Sequence, residues 1–384
     1  MKYRATVIFG IIFSVVVLGI GILVPKQLLF SIIFGEKNCD DYKIFHSREI
    51  ENGTPQAWKE SENMNEGNIL DNHRLFMEEN ETTAFLIVQN NEIVYEEYWE
   101  KYTQETFTNS FSMSNAIISI LVGIAIDEGK ILSENQKVGD FIPQFATGDL
   151  ANISIKDLLT MSSGLNWNET ETGLTAPMTE IYYGADLKDV RETITAKSES
   201  GKNFEYQSIN TQILAYIIQN ATGMKVSHYA ARNLWKKIGA ENIAFWSLDH
   251  KQGDEKAFCC FNATVRDFAR IGQLILNLGK WNNTQIVSEK YLMQSIQPVG
   301  YISDSKGQAM RYYGYHWWIL HYKEYSIPFV WGEKGQFLFV IPEENAVVVR
   351  IGNHCSDKMV NDLLPLDLYT YVDAAIEVIK NTNE

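Results

Sequence analysis

The chain has 384 residues, a formal net charge of −15, and 45% hydrophobic against 21% charged residues. Such a composition is that of a folded chain, long enough for one large domain or two modest ones, and it excludes disordered and collagen-like classes. The acidic balance, with no basic run beyond the N-terminus, argues against a nucleic-acid partner, and four cysteines without a C-x-x-C argue against a disulfide scaffold or a zinc ribbon.

Lys2 and Arg4 precede an apolar run over residues 5–24, closed by Pro25 and Lys26. A helix of that length spans about 30 Å, the thickness of a bilayer core. No small-residue cleavage site follows, so residues 1–35 are expected to be an uncleaved signal anchor, one transmembrane helix, rather than a cleaved signal peptide. Positive charge is denser before the run, which keeps the N-terminus in the cytoplasm. The expected protein is single-pass in the inner (cytoplasmic) membrane, with its body extracytoplasmic or periplasmic. Residues 36–75 are polar and read as a linker with some helix, and residues 76–384 as one domain.

Residues 83–89 and 92–99 are β-rich and joined by Asn90 and Asn91, a hairpin signal. Residues 112–127 are apolar at nearly every position, which predicts a helix buried on all sides, ended by Gly129 and Lys130. Residues 155–161, 211–221, 226–238 and 264–278 carry helical spacing. Residues 313–322, 329–341 and 346–351 read as strands, with 342–345 as a turn, and 367–380 as a closing helix. Strands at both ends of the domain around a helical middle predict an α/β (α+β) fold. It has one antiparallel sheet, built from residues 83–99 and 313–351 and flanked by helices, with a mostly helical subdomain inserted at about 135–260.

No H-E-x-x-H, metal-ligand histidine spacing, G-x-G-x-x-G, proper P-loop or G-x-S-x-G is present, so no metal or cofactor is expected. Cys259 and Cys260, between Phe258 and Phe261, read as small buried residues. The informative segment is residues 109–115, N-S-F-S-M-S-N. A serine opening a buried helix is either an N-cap or a nucleophile whose anion the unpaired first-turn N–H groups would stabilise.

Residues 110–130, S-F-S-M-S-N-A-I-I-S-I-L-V-G-I-A-I-D-E-G-K, resemble the nucleophile helix of the serine hydrolases related to class C β-lactamases. That superfamily also holds DD-peptidases, esterases and 6-aminohexanoate-dimer hydrolases. Residues 153–165, I-S-I-K-D-L-L-T-M-S-S-G-L, resemble its "LLTHTSGL" segment, and residues 201–223 its "PG-x-x-F-x-Y-S-N" segment. Residues 264–272, T-V-R-D-F-A-R-I-G, resemble its "DLARFG" helix, and residues 332–342 the strand of its third motif. The likeness runs in order from about residue 80 to 375.

The resemblance implies a β-lactamase-like fold and a small-molecule ester, amide or peptide-like substrate. It implies Ser112 of S-x-x-K as nucleophile and Tyr206 of Tyr206-Gln207-Ser208 as proton-transfer partner. The K-T-G or H-x-G motif would fall on Glu333-Lys334-Gly335, with the backbone N–H groups of Ser112 and Gln336 forming the oxyanion hole. His316 and Trp318 would line the pocket. Two positions depart from the pattern: Asn115 replaces the motif lysine and Glu333 the third-motif cation. A tyrosine near its ordinary pKa of about 10 is a poor base without that field. The expected function is a membrane-anchored serine hydrolase working through acyl-Ser112. The alternative is an impaired pseudoenzyme that binds a cell-wall or small-molecule ligand.

The topology has a direct test. Protease added to spheroplasts should digest everything after about residue 36, and a protected domain would refute the N-in orientation.

Overall fold

The computed structural model describes Leu29, Ile33 and residues 37–382 except 174–175, 185 and 361–363. The apolar run at 5–24 and the signal anchor read from it lie outside the described residues. Among the described residues no helix is long and apolar enough to cross a membrane.

The strands of the two larger sheets are β1 (Ser47–Ile50), β2 (Lys59–Glu60), β3 (Thr82–Gln89), β4 (Glu92–Tyr98), β5 (Thr108–Asn109), β6 (Ala244–Ser247), β7 (Phe261–Ala263), β8 (Trp318–Tyr322), β9 (Tyr325–Gly332), β10 (Gln336–Ile341) and β11 (Ala346–Gly352). The helices used below are α1 (Asp71–Glu79), α2 (Ser114–Asp127), α3 (Ile155–Leu159), α4 (Pro177–Tyr183), α5 (Leu187–Glu192), α6 (Ser208–Thr222), α7 (Val226–Ala230), α8 (Val265–Leu276), α9 (Glu289–Ser295) and α10 (Leu366–Thr382). The large sheet has the order β8-β9-β10-β11-β3-β4-β2, and a small sheet the order β1-β6-β7-β5. The two chain ends meet where β11 pairs antiparallel with β3, Val348 opposite Ile87. Within the large sheet only β2 runs parallel to its neighbour.

β3, β10 and β11 are buried at every position because both faces are covered, which is why they read as continuous apolar runs. On one face α8 approaches so closely that a side chain on Gly272 would meet Val347 and Leu338. On the other, Tyr371 of α10 packs on Phe85 and Phe337, with ring centroids 6.3 and 5.8 Å away. The β3–β4 turn has positive φ at both Asn90 and Asn91, which asparagine tolerates and the twist of a tight hairpin favours. The helical insert, α3 to α7, covers α2, and α2 is buried along almost its whole length.

Three expectations need correction. Residues 37–60 are not a linker: Cys39 is fully buried, β1 pairs with β6, and β2 extends the large sheet. Their polar side chains had masked short edge strands whose backbone does the pairing. Residues 244–247, inside the expected helical insert, and 261–263, just past it, are strands of the small sheet. The strand expected over 329–341 is two strands, β9 and β10, with a turn at Glu333–Gly335 where Lys334 and Gly335 have φ of 64° and 80°.

That turn is held by Arg350. Its buried guanidinium donates to the carbonyl oxygens of Lys334 (3.0 Å), Gly335 (2.7 Å) and His354 (3.0 Å), to Thr82 Oγ1 (3.1 Å), and to the Asn80 carbonyl. Arg350→Met would leave these buried acceptors unpaired, so it should cost about 3 kcal/mol of stability. A denaturation midpoint unchanged from the wild type would show that the staple is dispensable.

Candidate active site

The nucleophile segment lies between β5 and α2. Phe111–Met113 form a single 3-10 turn, and α2 begins only at Ser114, so Ser112 precedes the α-helix rather than opening it. Phe111 has φ of 45°, a left-handed conformation that costs a non-glycine residue on the order of 1 kcal/mol. Its surroundings enforce it. Asn109 Oδ1 accepts from the Phe111 N–H at 3.0 Å, and the Phe111 ring stacks on Tyr182 at 6.3 Å.

Of the three serines in the segment, two are occupied in the core. Ser110 Oγ donates to the Phe111 carbonyl (3.0 Å) and Ser114 Oγ to the Ala257 carbonyl (2.9 Å), and neither is exposed. Ser112 alone is partly exposed, and its hydroxyl hydrogen-bonds Tyr206. Tyr206 in turn accepts from Asn115 Nδ2 at 2.7 Å. Asn115 is 2% exposed, and its Oδ1 finds no partner among the described residues. Ser112, Asn115 and Tyr206 are therefore together, as the sequence resemblance implied.

Tyr206 sits just before α6, where Gln207 Nε2 donates to the carbonyls of Leu165 and Trp167, both at 3.0 Å. Trp318 stacks on the Tyr206 ring at 5.9 Å and 23°. Burial pushes the Tyr206 pKa well up, and the nearby Glu169 carboxylate pushes it further. The hydrogen bonds from Ser112 and Asn115 only partly offset this. Tyr206 is thus a neutral hydroxyl at physiological pH.

The sequence reading missed Glu169. It is partly buried, accepts from the Ser208 N–H (2.8 Å), the Ser208 hydroxyl and Trp167 Nε1 (3.1 Å), and burial raises its pKa. An acidic residue four positions after the S-S-G-L stretch was the available signal. Lys37 was also missed. Its ammonium lies 2.8 Å from Glu333 Oε2 and 4.9 Å from the Tyr182 ring centroid, and its charge reaches Glu169. Being on the supposed linker, it carried no signal at all.

Two placements differ from expectation. The glycine that closes on the nucleophile segment is Gly332, not Gly335. A side chain on Gly332 would collide with the Ser110 carbonyl oxygen and lie 3.1 Å from Phe111 Cβ, whereas Gly335 faces Arg350 and Cys355. Gln336 lies past the turn, its side chain spent on the Gly352 backbone. The reason is the turn at Glu333–Gly335, which ends the strand three residues before the expected position. His316 does not line the cleft. It is 2% exposed, with φ of 62°, its Nε2 lies 3.1 Å from Thr211 Oγ1, and burial lowers its pKa to about 3.

Behind the segment, Lys256 is fully buried, donates to the Tyr182 carbonyl, and has its pKa pushed down to about 7 by burial. Cys259 and Cys260 are joined in a disulfide rather than free, just before β7, whose Phe261 carbonyl accepts from the Ser110 N–H at 2.9 Å. Cys39 and Cys355 are not bonded.

The chain is similar to known proteins in sequence and in fold. The Beta-lactamase family model matches residues 74–360, and the chain belongs to that family. The 6-aminohexanoate-dimer hydrolase of Paenarthrobacter ureafaciens is 25% identical over 299 residues, 72% of this chain and 74% of that one. Among solved structures, a Bacillus anthracis protein provisionally named a 6-aminohexanoate-dimer hydrolase superposes with a TM-score of 0.77 at 20% identity, covering 90% of this chain and 93% of that one. A family VIII carboxylesterase gives 0.63 at 16% identity, covering 84% and 99%. The fold is thus one used by hydrolases of esters and amides.

The raised pKa of Glu169 has a thermodynamic sign. The folded chain holds this proton more tightly than the unfolded chain. Stability from that preference is present below the ordinary carboxylate range and lost as pH rises through the raised pKa. Glu169→Gln keeps an acceptor for Ser208 without the buried charge. It should melt with the wild type near pH 4 and about 2 °C above it at pH 8. A variant less stable at every pH would mean that the carboxylate's hydrogen bonds outweigh its burial.

Proposed function

We propose that the protein is a serine hydrolase that opens an ester or amide bond through an acyl-Ser112 intermediate. The observation that carries the reading is Ser112 as the one cleft-facing serine of its segment, hydrogen-bonded to a Tyr206 that Asn115 holds at 2.7 Å. A neutral tyrosine cannot store the serine proton, but it can relay one. Ser112 Oγ attacks the carbonyl carbon while its proton passes to Tyr206 Oη, and the proton of Tyr206 passes to the leaving oxygen or nitrogen. Asn115 Nδ2 takes one acceptor site on Tyr206 Oη, which leaves the tyrosine proton free for that transfer. Water then cleaves the acyl-enzyme by the reverse relay, restoring Ser112.

The developing oxyanion would be met by the Ser112 N–H and by the backbone at Gly332–Glu333, the part of β9 that borders the nucleophile segment. This replaces the Gln336 donor expected from sequence. The membrane anchor at residues 5–24 belongs to the same proposal and would hold the enzyme at a membrane surface. A binding protein without turnover is the second reading, favoured by the missing cation at Asn115.

A fluorophosphonate or fluorescent penicillin should label wild-type Ser112 slowly, with the adduct located by mass spectrometry and abolished in Ser112→Ala. An ammonium at residue 115, within about 4 Å of Tyr206, contributes on the order of 4 kcal/mol before desolvation is counted. Asn115→Lys should therefore raise acylation about thirtyfold if half survives. Absence of labelling in both proteins would favour the binding protein, and a slower Asn115→Lys would show that the site depends on its neutral relay.

A further inference from the structure

We propose that Lys37 is the substrate-facing cation of this site and selects esters or amides that carry a carboxylate near the scissile carbonyl. The proposal rests on the Ser112 reading and deepens it. Lys37 is fixed beside the nucleophile from several sides. Two residues on, the Cys39 carbonyl accepts from the Asn109 N–H at 2.8 Å, and Asp41 Oδ2 accepts from Tyr182 Oη at 2.7 Å. The ammonium lies over the Tyr182 ring, which also stacks on Phe111, and meets Glu333, which follows the glycine packed on Ser110. Lys256, the other ammonium near Tyr182, is sealed in the core and directed at a backbone carbonyl.

The Lys37–Glu333 pair is built to be exchanged. An ammonium has three donors, and among the described residues Lys37 has one hydrogen bond, to Glu333. The Lys37 side chain is 19% exposed and that of Glu333 47%, so the cation is the inner partner and the carboxylate the outer one. A half-exposed carboxylate holds its partner weakly. A substrate carboxylate entering the cleft can take a free donor of Lys37 or displace Glu333 into water at small cost. The rest of the cleft supplies negative charge, Glu169 and Asp41, which would repel such a substrate if Lys37 were absent.

The test uses the full chain in detergent. For binding, calorimetry on the Ser112→Ala background compares monoethyl glutarate with neutral diethyl glutarate. For turnover, the Ser112 enzyme is given mono-(4-nitrophenyl) glutarate and 4-nitrophenyl butyrate. Lys37→Met should lower the preference for the carboxylated member about tenfold in both assays, mainly through Kd and KM, and Lys37→Arg should keep most of it. Glu333→Gln, which frees the ammonium, should raise the preference. An unchanged preference in Lys37→Met, or an equal loss on charged and neutral compounds, would overturn the proposal. If Ser112 neither labels nor turns over either ester, the hydrolase reading fails, while the binding series still decides the role of Lys37.

Discussion

A helix with no polar face is the constraint on which the rest of the molecule depends. α2 buries Ile117, Ile118, Ile120, Leu121, Val122 and Ile124, each contributing roughly 1.5–3 kcal/mol when removed from water. Such a helix must be enclosed on every side. α6 packs along it, α9 presses Tyr291 against Gly123, and the loop before β7 receives Ser114. Two of these enclosing elements also carry something the site needs. Tyr206 and Ser208 stand at the start of α6, and the carbonyl that holds Ser110 comes from β7. The cleft is where the enclosure ends, one residue before Met113, and that is where Ser112 lies.

The electrostatics of the cleft are those of a rearranged charge set rather than a depleted one. Asn115 places a neutral amide beside Tyr206, and burial, reinforced by the Glu169 carboxylate, keeps the tyrosine protonated. Glu333 adds a second anion at the strand end, and Lys37 crosses from the N-terminal segment to meet it. The two sets of charges sit in different places. On the proposed reading, the groups around Tyr206 would govern how a proton moves between Ser112 and a leaving group. The Lys37–Glu333 pair would govern which charges a substrate meets on entering. Because Lys37 reaches the site through residues 37–41, cleft composition is tied to the segment that joins the domain to the apolar run at 5–24.

Rigidity at the strand end comes from an independent source. Arg350 anchors the carbonyls of Lys334 and Gly335, and Gly335 and Gly352 leave room for its guanidinium. The backbone at Gly332–Glu333 therefore ends in a turn tied to the core of the sheet. Oxyanion donors act through fixed position, so this staple links sheet stability to the geometry beside Ser112.

The sequence by itself determined much of this protein. The all-apolar run at 112–127, the Asn90-Asn91 hairpin and the terminal strands specify α2, β3–β4 and the sheet joined from both ends, because burial pattern is a local property of the chain. The ordered likeness located Ser112, Asn115 and Tyr206, which the fold then brings within hydrogen-bonding distance. Only the tertiary structure decided the rest. Whether a polar residue such as Lys37 or Glu169 faces water or a cleft depends on what packs against it from far along the chain. The glycine against the nucleophile segment is Gly332 rather than Gly335 because a three-residue turn, held by Arg350 of β11, ends the strand early. Pairings such as β3 with β11 join segments hundreds of residues apart, the turn at Glu333–Gly335 depends on an arginine of another strand, and no periodicity within one segment encodes either.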